Sequence, residues 1–334
     1  MAWRVSGTEL LHRGVFSPGS GRYFASTPPA GGSVAGEERS ALRVEPANEQ
    51  FGAPGGIRYA PSRERESQAM SSEQRVAVIT GASSGIGAAL ARSLSRRGWH
   101  CVLLARRADR LKQIAAETGA EVEICDVSSV EAVKQAAVRV LERHPALGLL
   151  VNNAGIPSHG SFLSASPERI EQVIRTNYLG SVWSLRAFLP GLERGRPSSV
   201  VNIVSVAGTT VVPDAGPYSA SKHAQLAFSR ALRAELKPRD ISVLTVNPGP
   251  VATEGFPQTR LISRRSMRWT VLTPERIAEK IVRAIERGKS EVVFPRWMRI
   301  AGISTALFPA TVTRVIAKGD PGRDIEIPKD GDGE

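Results

Sequence analysis

Tyr218 and Lys222 stand four residues apart. On a helix with about 3.6 residues per turn, such a pair shares one face with its side chains in reach. A phenol beside an ammonium is an acid/base device. Tyrosine by itself titrates near 10, and a fixed neighbouring cation favours the phenolate and draws that value toward neutral pH. Ser205 follows the apolar run from Val200 to Val204 at the end of a predicted strand, where ligands of open α/β sheets sit. Its hydroxyl suits a substrate oxygen held beside the phenol. No Gly-x-Ser-x-Gly elbow surrounds it, which argues against a Ser-His-Asp hydrolase. His223, next to Lys222, projects to another helix face and reads as packing.

Such groups need a scaffold, and the chain supplies one upstream. Val76 to Thr80 is a short β-branched run of the kind found in buried parallel strands. It is closed by Gly81, Ser83, Ser84, Gly85, Ile86 and Gly87, and helical spacing follows from Ala88 to Arg97. A strand, a glycine turn and a helix N-terminus present backbone N–H groups and the positive end of a helix dipole to a pyrophosphate. The spacing is Gly-x-x-x-Gly-x-Gly, not the commonest dinucleotide fingerprint, and it lacks the Gly-Lys-Ser/Thr ending of a P-loop. The second predicted strand ends in Arg106 and Arg107, with no acid before Asp109. Arginine at that position accommodates a 2′-phosphate, which points to NADP(H). Asn152, Asn153, Ala154 and Gly155 end the fourth strand with small residues and amides able to satisfy open backbone groups.

Taken in order, Thr80 to Gly87, Asn152 to Gly155, Ser205, Tyr218 to Lys222, and Pro248 with Gly249 resemble the motif set of the short-chain dehydrogenase/reductase family, over about residues 74 to 295. The resemblance implies carbonyl–alcohol interconversion by hydride transfer, with NADP(H) preferred and NAD(H) possible. It implies that Tyr218 moves the proton, Ser205 orients the oxygen, and Lys222 lowers the phenol's pKa and holds the nicotinamide ribose. Asn177 would mark a helix irregularity and a water path to the lysine. Asp126 and Val127 resemble the adenine-contacting pair, while Asn153, Ala154 and Gly155 line the adenosine ribose. Val251 and Thr253, after Pro248 and Gly249, resemble the segment that meets the carboxamide and phosphate. Homodimers or homotetramers through helices near 167–190 and 217–237 are implied as well. Two alternatives stand beside this reading: a catalytically silent NADP-binding regulatory or scaffold protein, and a 3-oxoacyl thioester reductase.

Strand-like runs near 75–80, 100–105, 121–125, 147–152, 198–204, 241–246 and 291–294 alternate with helical patterns. Strict alternation predicts an α/β fold, a doubly wound parallel sheet covered on both faces. The resemblance adds a Rossmann topology with strand order 3-2-1-4-5-6-7. Residues 1–73 read as a disordered extension rich in Gly and Pro, either a mis-called start before Met70 or a mitochondrial presequence within 1–25. Residues 74–296 form the catalytic domain, and 319–334 an acidic tail with 6 acids. Between them, 297–318 is apolar with basic flanks. It is too short to span a bilayer, and suits either peripheral membrane contact or a helix over the substrate pocket.

The net charge of +12 resides in the folded part, since 1–69 holds 8 Arg against 7 acids. Residues 254–318 carry 13 Lys/Arg against 5 acids, a surface suited to anionic partners. No nucleic-acid module is evident. Cys101 and Cys125 are predicted as buried thiols beyond disulfide reach, favouring the cytoplasm. The five His are scattered, so no metal site is predicted. The stretch from Glu254 to Leu272 is the expected lid, its Phe256, Leu261, Ile262, Met267 and Trp269 suggesting a lipophilic substrate.

Overall fold

A computed structural model of the chain describes residues 75–158, 162–210, 215–258, 262–263 and 268–319. The predicted extension over 1–73 and the tail beyond Gly319 lie outside them. Among the described residues the strands are β1 (Val76–Thr80), β2 (His100–Ala105), β3 (Glu121–Ile124), β4 (Leu149–Asn152), β5 (Ser198–Ile203), β6 (Ile241–Pro248) and β7 (Glu291–Phe294). The helices are α1 (Gly85–Ser95), α2 (Ala108–Thr118), α3 (Val130–Arg143), α4 (Pro167–Ile174), α5 (Gly180–Arg194), α6 (Gly216–Leu236), α7 (Pro274–Glu286), α8 (Met298–Leu307) and α9 (Pro309–Gly319). All strand pairings are parallel, in the order β3-β2-β1-β4-β5-β6-β7.

The central strands β1, β2 and β4 are largely apolar because both faces are covered. Alternate residues of β1 serve opposite layers, as the period of two requires. Ala77 and Ile79 pack with Leu90 and Leu94 of α1 and Ile277 and Ile281 of α7. Val76 and Val78 pack with Val133 of α3, Phe188 of α5 and Leu232 of α6. The chain leaves β1 toward β2 and β3, then returns to place β4 on the other side of β1. That reversal opens a crevice at the strands' carboxyl ends, the usual ligand position in such sheets.

Helix starts differ in a way that bears on function. Ser129, Ser166 and Thr273 cap α3, α4 and α7 by accepting from the N–H of Ala132, Arg169 and Arg276, each satisfying a donor the helix cannot. Helix α1 has neither a side-chain cap nor an acid in its first turn, and it begins at Gly85, inside the glycine run. After β7, α8 and α9 are split at Phe308, with Pro309 beginning the second helix, as a ring lacking an N–H favours. No helix among the described residues is long and apolar enough to cross a membrane.

Candidate active site

The turn after β1 is held by β4. Gly81 has φ +64, and a Cβ there would come within 2.7 Å of the Ala154 Cα, so both conformation and space call for glycine. Asn153 Nδ2 donates to the carbonyls of Thr80 (3.0 Å) and Gly81 (3.1 Å). Thr80 Oγ1 accepts from the N–H of Asn153 and of Ala154 and donates to the Val151 carbonyl. A Cβ on Gly87 would sit 2.5 Å from Asn153 Nδ2. Gly87 and Asn153 therefore fix the loop, and Gly81, Ser83, Ser84, Gly85, Ile86 and Asn153 line the cleft. Open N–H donors at an uncapped helix start, with hydroxyls beside them, are a donor set that fits a pyrophosphate.

The cleft has a volume of about 810 Å³, within the range of small-molecule sites. One end holds Arg106, Arg107, Asp126 and Val127. Arg107 spans it, donating to Ser83 Oγ (3.2 Å), Ser84 Oγ (2.8 Å) and Glu254 Oε1 (2.9 Å). The Arg106 guanidinium lies 3.8 Å from Asp126, whose Oδ1 also accepts from the N–H and hydroxyl of Ser128. Ala154 and Gly155 line the floor, and Pro248, Gly249, Val251 and Thr253 the opposite wall. That wall is braced by bridges from Val251 to Leu272 and from Thr253 to Phe256.

At the other end Ser205, Tyr218 and Lys222 line the cleft together. Ser205 accepts from the Ala207 N–H at 3.1 Å and hydrogen-bonds the Tyr218 phenol. Tyr218 and Lys222 lie on α6, with Nζ 5.8 Å from the centroid of the tyrosine ring. Nζ donates to the Ile203 carbonyl (3.0 Å) and to Gln225 Oε1 (2.8 Å), and Gln225 Nε2 donates to Ser181 Oγ. Asn177 does not line the cleft. It lies buried behind it in a π-helical turn, Arg175–Leu179, between α4 and α5. Its side chain accepts from the Ile156 N–H and donates to the Ile156 carbonyl and Ser221 Oγ. The odd asparagine in a helical pattern thus coincides with a break in α-helical geometry.

Burial acts on both members of the Tyr218–Lys222 pair. Burial pushes Tyr218 up to about 12, with the Ser205 hydrogen bond pulling the other way. Burial likewise pushes Lys222 down to about 7. Desolvation disfavours the charged form of each group, and Nζ is left with two neutral oxygens as partners. The lid expectation is narrowed. Phe256 lines the cleft, its ring 5.5 Å from that of Tyr218. Trp269 is 67% exposed and stacks near Trp297, Ile262 is exposed, and Leu261 and Met267 lie outside the described residues. Met298, from the C-terminal segment, lines the cleft and would meet a Cβ on Gly249.

Two residues escaped sequence reasoning, and a third, Thr80, opened the glycine motif without being given a role. Gln225 sits three residues after Lys222 on α6, a spacing that could have flagged it. Ser158 lines the cleft with a buried hydroxyl that finds no partner among the described residues. Thr80 is a strand-end hydroxyl, with only its place before Gly81 as a signal. Cys101 and Cys125 are free and buried. The histidines are not all scattered: His100 and His144 meet at Glu121, far from the cleft in the strand direction.

A family profile described as short chain dehydrogenase matches residues 75–261. Dehydrogenase/reductase SDR family member 7B of Xenopus laevis is 35% identical over 237 residues, covering 65% of this chain and 73% of that protein. The 11-beta-hydroxysteroid dehydrogenase-like 4A of Arabidopsis thaliana is 34% identical over 245 residues, covering 70% and 81%. Among solved structures, an alcohol dehydrogenase from Thermococcus sibiricus complexed with 5-hydroxy-NADP is similar at TM-score 0.58 and 32% identity, covering 66% of this chain and 95% of that one. An actinorhodin polyketide ketoreductase with NADPH reaches TM-score 0.61 at 29% identity, covering 68% and 98%.

Proposed function

Because the chain belongs to the short-chain dehydrogenase family, we propose that it interconverts a carbonyl and an alcohol on a lipophilic substrate, with NADP(H) as redox partner and Tyr218 as acid/base. Membership makes it an oxidoreductase acting on CH–OH with a nicotinamide dinucleotide. The observation that carries the finer reading is the convergence of Ser205, Tyr218 and Lys222 on one wall of a cleft whose other end holds two arginines.

When bound, the nicotinamide supplies or accepts the hydride. In the reducing direction Ser205 holds the carbonyl oxygen, and Tyr218 gives it a proton as negative charge develops there. With its pKa raised, the phenol is fully protonated at neutral pH and ready to donate. Lys222 keeps its amino end at the cleft floor, where it would hold a ribose hydroxyl and ease proton return to the tyrosine. Asn177 keeps the π-helical turn and the Ile156 backbone in register behind it. Arg106 and Arg107 favour the 2′-phosphate of NADP(H). Val206, Ile156, Phe256 and Met298 give the substrate end an apolar lining. Pairing of two copies through α4, α5 and α6 belongs to the same proposal.

The test is a spectrophotometric screen of aldehydes, ketones and acyl thioesters with NADPH and NADH in parallel. NADPH oxidation by an apolar ketone or aldehyde, faster than with NADH, is expected. Turnover confined to thioesters would move the substrate class to that of a 3-oxoacyl reductase, and silence across the panel would favour a cofactor-binding scaffold.

A further inference from the structure

We propose that His100, Glu121 and His144 form a site for one zinc-class divalent cation at the amino-terminal edge of the sheet, remote from the redox cleft. The fold itself brings them together. Strand register pairs Val102 with Glu121, so His100, two residues earlier, projects from the same face as Val102. That face is covered by α3, whose last turn hands the chain to His144 as the C-cap residue.

The geometry is convergent. Glu121 Oε1 lies 2.8 Å from Nε2 of His100 and 2.8 Å from Nε2 of His144. The potential ligand atoms of the three residues all lie within 4.8 Å of one another, and the two rings stand 4.9 Å apart. Two imidazoles and a carboxylate, with the fourth position left to water, are a donor set zinc accepts, at about 2.0–2.2 Å from each ligand. A tetrahedral ion sets its ligand atoms about 3.3 Å apart, so each 2.8 Å contact would open by about 0.5 Å while the two imidazole nitrogens, within 4.8 Å of each other, turn onto the ion.

The surroundings support the carboxylate as ligand. Arg143 Nε donates to Glu121 Oε2 at 3.0 Å, which leaves Oε1 to the histidines and fixes the carboxylate from outside, as second partners of metal ligands do. Neighbouring Glu123 is taken by Arg139 and by Arg143. The carboxyl end of α3 adds negative dipole potential. His100 keeps 40% of its side chain exposed, so an ion can enter and water can complete its shell. Metal here would take the ring-nitrogen lone pair of each neutral imidazole and clamp β2, β3 and the end of α3 together.

The test uses the full chain without affinity-tag histidines, stripped with a chelator and titrated with ZnCl₂ by calorimetry. One equivalent should bind, and the melting temperature should rise by about 5–10 °C at a hundredfold excess over Kd. His144→Gln and Glu121→Gln should each weaken zinc by about tenfold or more, with NADPH affinity retained as proof of folding. His144→Cys should keep a ligand atom and give Co²⁺ a thiolate charge-transfer band that the wild type lacks. Absence of saturable binding, or undiminished binding by the glutamine variants, overturns the proposal. If those variants do not fold, the cobalt band of the cysteine variant decides in the same two directions.

Discussion

At the amino-terminal end of the sheet Glu121 and Glu123 are ringed by His100, His144, Arg139 and Arg143, whereas at the carboxyl end Lys222 is buried with two neutral oxygens for company. The first region matches its charges internally. The second leaves an amine, an uncapped helix start and a Ser158 hydroxyl with no partner among the described residues around a cavity. Burying such groups costs stability unless something fills their valences, so the contrast marks the carboxyl end as the one built around a cavity for a small molecule. Glu121 shows the paired regime: burial raises its pKa, but hydrogen bonds from His144, His100 and Arg143 prevail and bring it to about 2.

Five substitutions probe that contrast, from the largest expected effect down. Tyr218→Phe removes the proton donor while sparing the surface that meets the cofactor; kcat should fall about 10²–10⁴-fold with NADPH affinity nearly unchanged by fluorescence titration. Gly81→Ala forces a Cβ against Ala154 at positive φ, and should cost about 1–3 kcal/mol in urea unfolding along with cofactor binding.

Lys222→Met tests the cost of the unmatched amine. The folded-state pKa is depressed from 10.5 to about 7, so the fold disfavours the ammonium. The penalty is full below pH 7 and is relieved as pH rises toward 10.5, because the unfolded chain holds the extra proton across that window. Wild-type stability without cofactor should therefore climb between pH 7 and 10, and the methionine variant should lack that climb while losing turnover. The two curves can be compared by thermal melts.

Glu254→Gln frees Arg107 from its carboxylate partner at the cleft's rim. NADPH should bind about twofold to fivefold more tightly, the scale of an exposed ion pair, and NADH should not. At the matched end, Glu123→Gln should cost about 1 kcal/mol of stability and leave kcat and KM as they were.

Local patterns carried much of this to the reader of the sequence alone. Strand alternation and turn chemistry are short-range signals, so the strands fall within a few residues of their predicted places. Tyr218 and Lys222 share a helix face by spacing, and both line the cleft with Ser205. Other features depend on long-range packing. His100, Glu121 and His144 meet only through strand register and helix length. The direction of the Tyr218 shift depends on how deeply the phenol is buried, which spacing does not reveal. Asn153 lines the cleft and also holds the loop through the Thr80 and Gly81 carbonyls, and the close packing of Gly87 against its amide is a long-range contact that motif spacing does not show.

The most direct measurement follows the hydride. NADPH deuterated at the transferable C4 position is incubated with the best carbonyl substrate, and the product is read by mass spectrometry. Deuterium at the carbinol carbon in wild type, and the same product formed at least about a hundredfold more slowly by Tyr218→Phe, is the predicted result. Product without label, or labelled product formed equally well by the phenylalanine variant, would contradict the assignment of hydride transfer with Tyr218 as the proton donor.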